Sequence, residues 1–219
     1  MHRDRMVRVL ARIAPLAALT LSVAGCGALD GAGRPPERAG LVGGWRTAGC
    51  AFARAPQYTV NGKVRVPITP TVLSDAMERI DVGGRDRFAE RYSGMEIDQK
   101  RVRAVVYRVP SAGFDDFIRS SAEDACIVVR DSAHAVAELT GWQERVVADL
   151  HYWVEQGVRI VTVGSRHDGV GVEIGTRDID QARLQLPARY GAEAPLVFVE
   201  EGPVIPLTSG RKVVPEAGG

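Results

Sequence analysis

No apolar run in this sequence reaches the roughly 20 residues that a helix needs to cross the hydrocarbon core of a bilayer. The stretch nearest to one, Ile13 to Gly25, has 13 residues and is interrupted by Pro15, Thr20 and Ser22, which argues against a permanent membrane span. Cysteine is limited to Cys26, Cys50 and Cys126. None forms a CxxC pair or adjoins a set of histidines, so a zinc site is not expected. No glycine-rich loop stands between a strand and a helix: Gly164 to Gly175 is rich in glycine but lies inside a hairpin, which argues against a phosphate-binding loop and its nucleotide cofactors. Nor does any run of Lys or Arg follow the first twelve residues. Lys and Arg number 28 against 27 Asp and Glu; four of the arginines and one aspartate belong to the leader, so the remainder is close to neutral, net about −2. A nucleic-acid partner is not expected from such a balance.

What is present at the N-terminus reads as an export signal. Arg3, Arg5, Arg8 and Arg12 precede the short apolar core, the charge-then-apolar order of a secretory leader. It ends in Leu21-Ser22-Val23-Ala24-Gly25-Cys26, which resembles the lipobox of bacterial lipoproteins. The resemblance implies diacylation of Cys26 and attachment to the outer face of the cell membrane, where the buried acyl chains provide the anchor. The alternative is an ordinary secretory signal cleaved near Ala24. In either case the compartment permits disulfides. Cys50 and Cys126 read either as a bridge closing a long loop, or as a buried thiol at Cys126 with Cys50 free.

The organisation predicted is a signal peptide over 1–25, a flexible tether over 26–56, one domain over 57–207 and a tail over 208–219. The tether reading rests on Gly, Ala, Pro and Arg, including Arg34-Pro35-Pro36. Within the domain, Tyr58 to Pro67 reads as a strand or extended arm with a turn at Asn61-Gly62, and Pro70 to Ile80 as a helix ended by Gly83-Gly84. The chain then repeats itself at an interval of about 68 residues. Met95 and Ile97, a polar turn, and Val102, Ala104 and Val106 at period two describe a hairpin, followed by a helix over 114–123 and a strand over 126–129. The same order recurs in Val158 to Val163, Val170, Val172 and Ile174, a helix over 178–190 that Pro187 should end or kink, and Leu196 to Val199. Ser132 to Gln156 supplies a long connecting helix with Ser132 as N-cap, or two helices meeting at Gly141. The fold class expected is α+β: two ββαβ units, in halves 88–131 and 157–201, each a three-stranded sheet with helices on one face, joined by the long helix.

Chemistry-bearing residues are few. Ser165-Arg166-His167-Asp168 holds three reactive types in four positions, but neighbours on a hairpin tip point apart and form no relay. His134 and His151 lie 17 residues apart without ligand spacing, and Glu123-Asp124 and Glu200-Glu201 are adjacent acids that diverge into solvent. No catalytic, metal-binding or cofactor-binding residue is therefore predicted, and the chain is not expected to be an enzyme.

Asp75-Ala76-Met77-Glu78-Arg79, Arg87-Phe88-Ala89, Ser93-Gly94-Met95-Glu96-Ile97-Asp98, the Val128 to Ser132 entry to the long helix, and the Val170 to Ile174 and Leu196 to Glu200 strands together resemble the propeptides of secreted bacterial chymotrypsin-like proteases, the streptogrisin and α-lytic protease group. The likeness spans about 70–200 and is one of order and pattern. It implies a folding assistant or inhibitor; with the sequence ending at Gly219, it implies one without a protease in cis. The function expected is a lipid-anchored binding module for another secreted or envelope protein, engaged through a sheet face, an edge strand or the tail. The alternative is a structural or small-ligand-binding lipoprotein with an apolar pocket between its halves.

Overall fold

The computed structural model describes residues 43–52 and 54–202. The leader, Cys26, most of the predicted tether and the predicted tail lie outside the described residues. In chain order the elements are β1 (Gly44–Arg46), a 3-10 turn (Ala48–Ala51), β2 (Gln57–Asn61), β3 (Val64–Ile68), α1 (Thr71–Arg87), β4 (Tyr92–Asp98), β5 (Arg103–Arg108), α2 (Ala112–Ala122), β6 (Ile127–Asp131), α3 (Val136–Ala148), α4 (Leu150–Glu155), β7 (Ile160–Ser165), β8 (Val172–Thr176), α5 (Ile179–Tyr190) and β9 (Leu196–Glu200). The fold is α+β.

Two sheets carry the body of the domain. In the first, β4 and β5 form an antiparallel hairpin and β6 lies parallel to β5. A parallel neighbour needs a crossover, and α2 supplies it. Ser111 caps that helix by accepting from the Phe114 amide, and Phe114, Ile118 and Ala122, four residues apart, bury one stripe. Those side chains join Leu73, Ala76 and Ile80 of α1 over the inward residues Ala104, Val106, Ile127 and Val129. In the second sheet β7 and β8 are antiparallel and β9 is parallel to β8 after α5. Its separate core gathers Leu139, Val146 and Trp153 with Val172, Ile174, Ala182 and Leu186.

Register relates the two sheets residue by residue. Ala104 and Val106 face Ile127 and Val129, as Val172 and Ile174 face Leu196 and Phe198. Val102 and Val170, predicted to open the same strands, stand just before them instead. Val102 is buried in the β4–β5 turn with a φ of 48°, whereas Val170 is exposed.

The tether reading fails over 44–52, because β1 pairs with β6 and makes the first sheet four-stranded, not three-stranded. Gly83-Gly84 does not end α1: both glycines are buried and give room to neighbouring rings. The connecting helix is interrupted at Asp149, not Gly141, where the Asp149 amide turns back to the Val146 carbonyl at 3.2 Å. Ser132 is not its cap, since α3 starts after Ala135. Pro187 lies inside α5 without ending it. The turn beyond it is held by tertiary bonds: Trp153 donates to the Tyr190 hydroxyl, that hydroxyl donates to Asp149, and Arg189 also donates to Asp149 at 2.7 Å. Burial, followed by the Asp149 carboxylate, pushes the Tyr190 phenol up to about 12.

Candidate functional site

The two halves meet where the β7–β8 turn enters the first half. Asp168, at the centre of that turn, has no exposure to water. It accepts from Arg166 Nε and Nη2 at 3.1 and 2.7 Å and from the Val170 amide at 3.3 Å. Burial alone would raise its pKa, but these bonds outweigh burial and hold it below the ordinary carboxylate range. Arg166 reaches on to Glu173 at 2.7 Å, so a single guanidinium braces the turn and the strand after it.

Two glycines let this turn approach. A Cβ at Gly94 would lie 2.6 Å from the His167 carbonyl oxygen, and one at Gly169 would lie 2.6 Å from that of His134. Polar bonds close the contact: the His134 amide donates to the Gly169 carbonyl at 3.1 Å, Ser93 donates to the His134 carbonyl at 2.6 Å, and Ser93 and Ser132 share a hydrogen bond. His167 itself pairs with Glu96 at 3.3 Å and sets its ring edge against Tyr107.

Beside this contact lies a cleft of about 570 Å³, open to solvent. Its walls are α1 and α3, its floor is the start of β4, and its end is the β7–β8 turn. Met77, Met95 and Val136 give it an apolar lining, Asp81 and Gln143 are half-buried beside them, and Glu78, Arg85 and Thr140 are its exposed polar residues. Asp81 accepts from Tyr92 at 2.6 Å and from Arg85 at 3.0 Å. Burial raises its pKa, yet the bonds from Arg85 and Tyr92 prevail and leave it lowered. Burial and then Asp81 push the Tyr92 phenol upward. Gln143 Oε1 accepts from both the amide and the hydroxyl of Ser165, tying α3 to the second sheet. These groups are spent on one another, so the cleft offers shape, thioether surface and a charged margin.

Of the residues singled out in the sequence, Cys50 and Cys126 are joined in a disulfide with their Cα atoms 4.2 Å apart. Ser165, Arg166, His167 and Asp168 separate into distinct roles, with Ser165 on Gln143, Arg166 on Asp168 and His167 on Glu96. His134 and His151 pair with Glu138 and Glu155 on their own helices and share no site. Glu123 meets Arg79, and Glu201 accepts from Thr162. Of the cleft lining, Ser165 and His167 are singled out in the sequence as chemistry-bearing and the other residues are not, nor is Arg108, which is 5% exposed and held between Asp115 and Asp131. A signal for Arg108 existed: a cation ending an apolar strand, with acids near the starts of the following helix and loop. Among the described residues no group of three or more His, Cys, Asp or Glu is placed to hold a metal ion. Comparison with protein-family models, curated proteins and solved structures finds no match.

Proposed function

We propose that this chain is a lipid-anchored binding module of the extracytoplasmic space, held through Cys26, that receives a projecting segment of another secreted or envelope protein in the cleft between its halves. The observation that carries the reading is the cleft itself: an open trough with an apolar lining and exposed polar residues. That is the anatomy of a protein contact, a desolvated centre ringed by groups that stay wet. Two methionines suit it, because thioether side chains repack around differing partners. A small-molecule site buries most of its ligand, and an open trough does so poorly. The resemblance to protease propeptides favours a secreted chymotrypsin-like protease as the partner class.

A photo-crosslinking amino acid at Thr140, on the rim, is the direct test. The expected result is a discrete adduct in envelope preparations that is absent with the crosslinker at Leu184, far out on α5, and is lost when Met77→Arg fills the trough. Identical patterns at both positions, or none, would reject the site. Purified secreted chymotrypsin-like proteases test the partner class, through inhibition or a thermal shift. The anchor is tested separately by labelling with a radioactive fatty acid, which should mark the wild type and not Cys26→Ser; an unmarked wild type would defeat it.

A further inference from the structure

The hairpin of β2 and β3 plays no part in the cleft. Every residue from Gln57 to Ile68 is exposed, and a two-stranded hairpin with both faces in water is marginal by itself. Pairing places Tyr58, Val60, Arg65 and Pro67 on one face and Val64, Val66 and Ile68, with Thr59, on the other. Both faces are therefore apolar in part, and Val60 and Val64 are 68% and 62% exposed. The charge is of one sign. From Arg54 to Ser74 the chain carries Arg54, Lys63 and Arg65 and no Asp or Glu. Arg65 lies 4.5 Å over the Tyr58 ring. At the base, Gln99 donates to Thr69 at 2.9 Å, which brings the β4–β5 turn alongside with Lys100, while Arg101 of that turn is paired with Asp98 at 3.1 Å.

A flat protein partner covers one face of a ribbon and leaves the other wet. Aliphatic side chains on both faces, interleaved with cations alone, suit a medium that surrounds the ribbon and is negatively charged. We infer that this hairpin is an interfacial arm that lies in the headgroup region of an anionic phospholipid surface. Tyr58, Val60, Val64 and Val66 would enter the boundary with the acyl chains, and Lys63 and Arg65 would meet the phosphates. Depth is limited by the ribbon's two open edges, whose unpaired amides and carbonyls cannot enter hydrocarbon. The arm acts independently of the cleft and of acylation at Cys26.

Hydrogen exchange on the full chain, read by mass spectrometry, tests this. On vesicles containing about one-third phosphatidylglycerol, exchange at 57–68 should slow about tenfold. On phosphatidylcholine alone it should not change. The Lys63→Glu/Arg65→Glu variant should lose the protection while the amides of Val106 and Ile174 keep theirs. Co-sedimentation with vesicles without slowed exchange at 57–68 would mean that another segment binds, and would overturn the inference. So would protection that grows with protein concentration in the absence of lipid, which would make the occupant a second copy of the chain.

Discussion

Asp168 is as shielded from water as Val172, and a carboxylate so placed is tolerated only because its charge is answered on the spot. Arg166 and the Val170 amide do so. Replacing it with asparagine would leave Arg166 without its main partner. Arg166 is a third exposed and keeps Glu173, so the cost falls near the lower bound for breaking a buried pair, about 2 to 3 kcal/mol at pH 7. The pH dependence follows from the direction of the shift. A carboxylate whose folded pKa lies below its unfolded value near 4 stabilises the fold above that pH, and the contribution fades as pH falls through the folded value. The gap in melting temperature between wild type and Asp168→Asn should therefore be full at pH 7 and narrow below about pH 4. A gap that stays constant down to pH 2.5 would contradict this account. The sequence places Asp168 beside a turn glycine at a hairpin tip, which carries no sign of burial. The residues on either side of Asp168, His167 and Gly169, approach Gly94 and Ser132, which are distant in sequence, and no local pattern reports them.

At the scale of elements, the helices and strands were legible wherever one face is buried at a regular period, and misjudged where a neighbour intervenes. α1 is the clearest case. Two consecutive glycines weaken a helix by about 1 kcal/mol each relative to alanine, so a stop was the natural reading; the helix continues because the space belongs to other rings. A Cβ at Gly84 would lie 2.7 Å from Cγ of Tyr92, whose ring is buried and whose hydroxyl is tied to Asp81. Gly84→Ala gains helix propensity but crowds a ring that cannot move, a net loss of about 1 to 2 kcal/mol in urea denaturation. At Gly83 the clash is with Cζ of Phe117, the tip of a partly exposed ring, which can swing aside. Gly83→Ala should therefore cost less than Gly84→Ala, and the reverse order would overturn the argument.

The disulfide acts on an element as well. β1 has three residues, too short to hold an edge alone, and the bridge next to it closes a separation of 76 residues. Converting Cys50 and Cys126 to serine should lower stability by up to about 4 kcal/mol in the chain-entropy account. The Thr47 amide, bonded to the Ile127 carbonyl at 3.0 Å, should exchange earlier than those of the central strand β5. If stability were unchanged and Thr47 stayed protected, the bridge would have no structural role.

The whole molecule depends on how two similar layers are held together. Each half's core was readable from alternation, since Ala104 and Val106, like Val172 and Ile174, point to one side of a strand. The junction was not, because it rests on backbone approach and not on any apolar pattern. Gly94 is the position that decides it. A Cβ there would meet the carbonyl oxygen of His167 at 2.6 Å and its Cα at 2.8 Å, and main-chain atoms cannot rotate out of the way as a side-chain tip can. Gly94→Ala must therefore push the β7–β8 turn outward, stretching the bond from His134 to the Gly169 carbonyl and widening the cleft beside it. A cost of about 2 kcal/mol is expected, but loss of stability alone would not identify the cause. The distinguishing observation is local. Under native conditions the His134 amide should exchange much faster in the variant, while Val106 and Ile174, deep in the separate cores, retain their protection relative to each half's own unfolding. Crosslinking through Thr140 should weaken in parallel, since the cleft wall formed by the turn has moved. Uniform acceleration at His134, Val106 and Ile174 would mean that the halves open as a single cooperative body, and that Gly94 matters to global stability without controlling the junction.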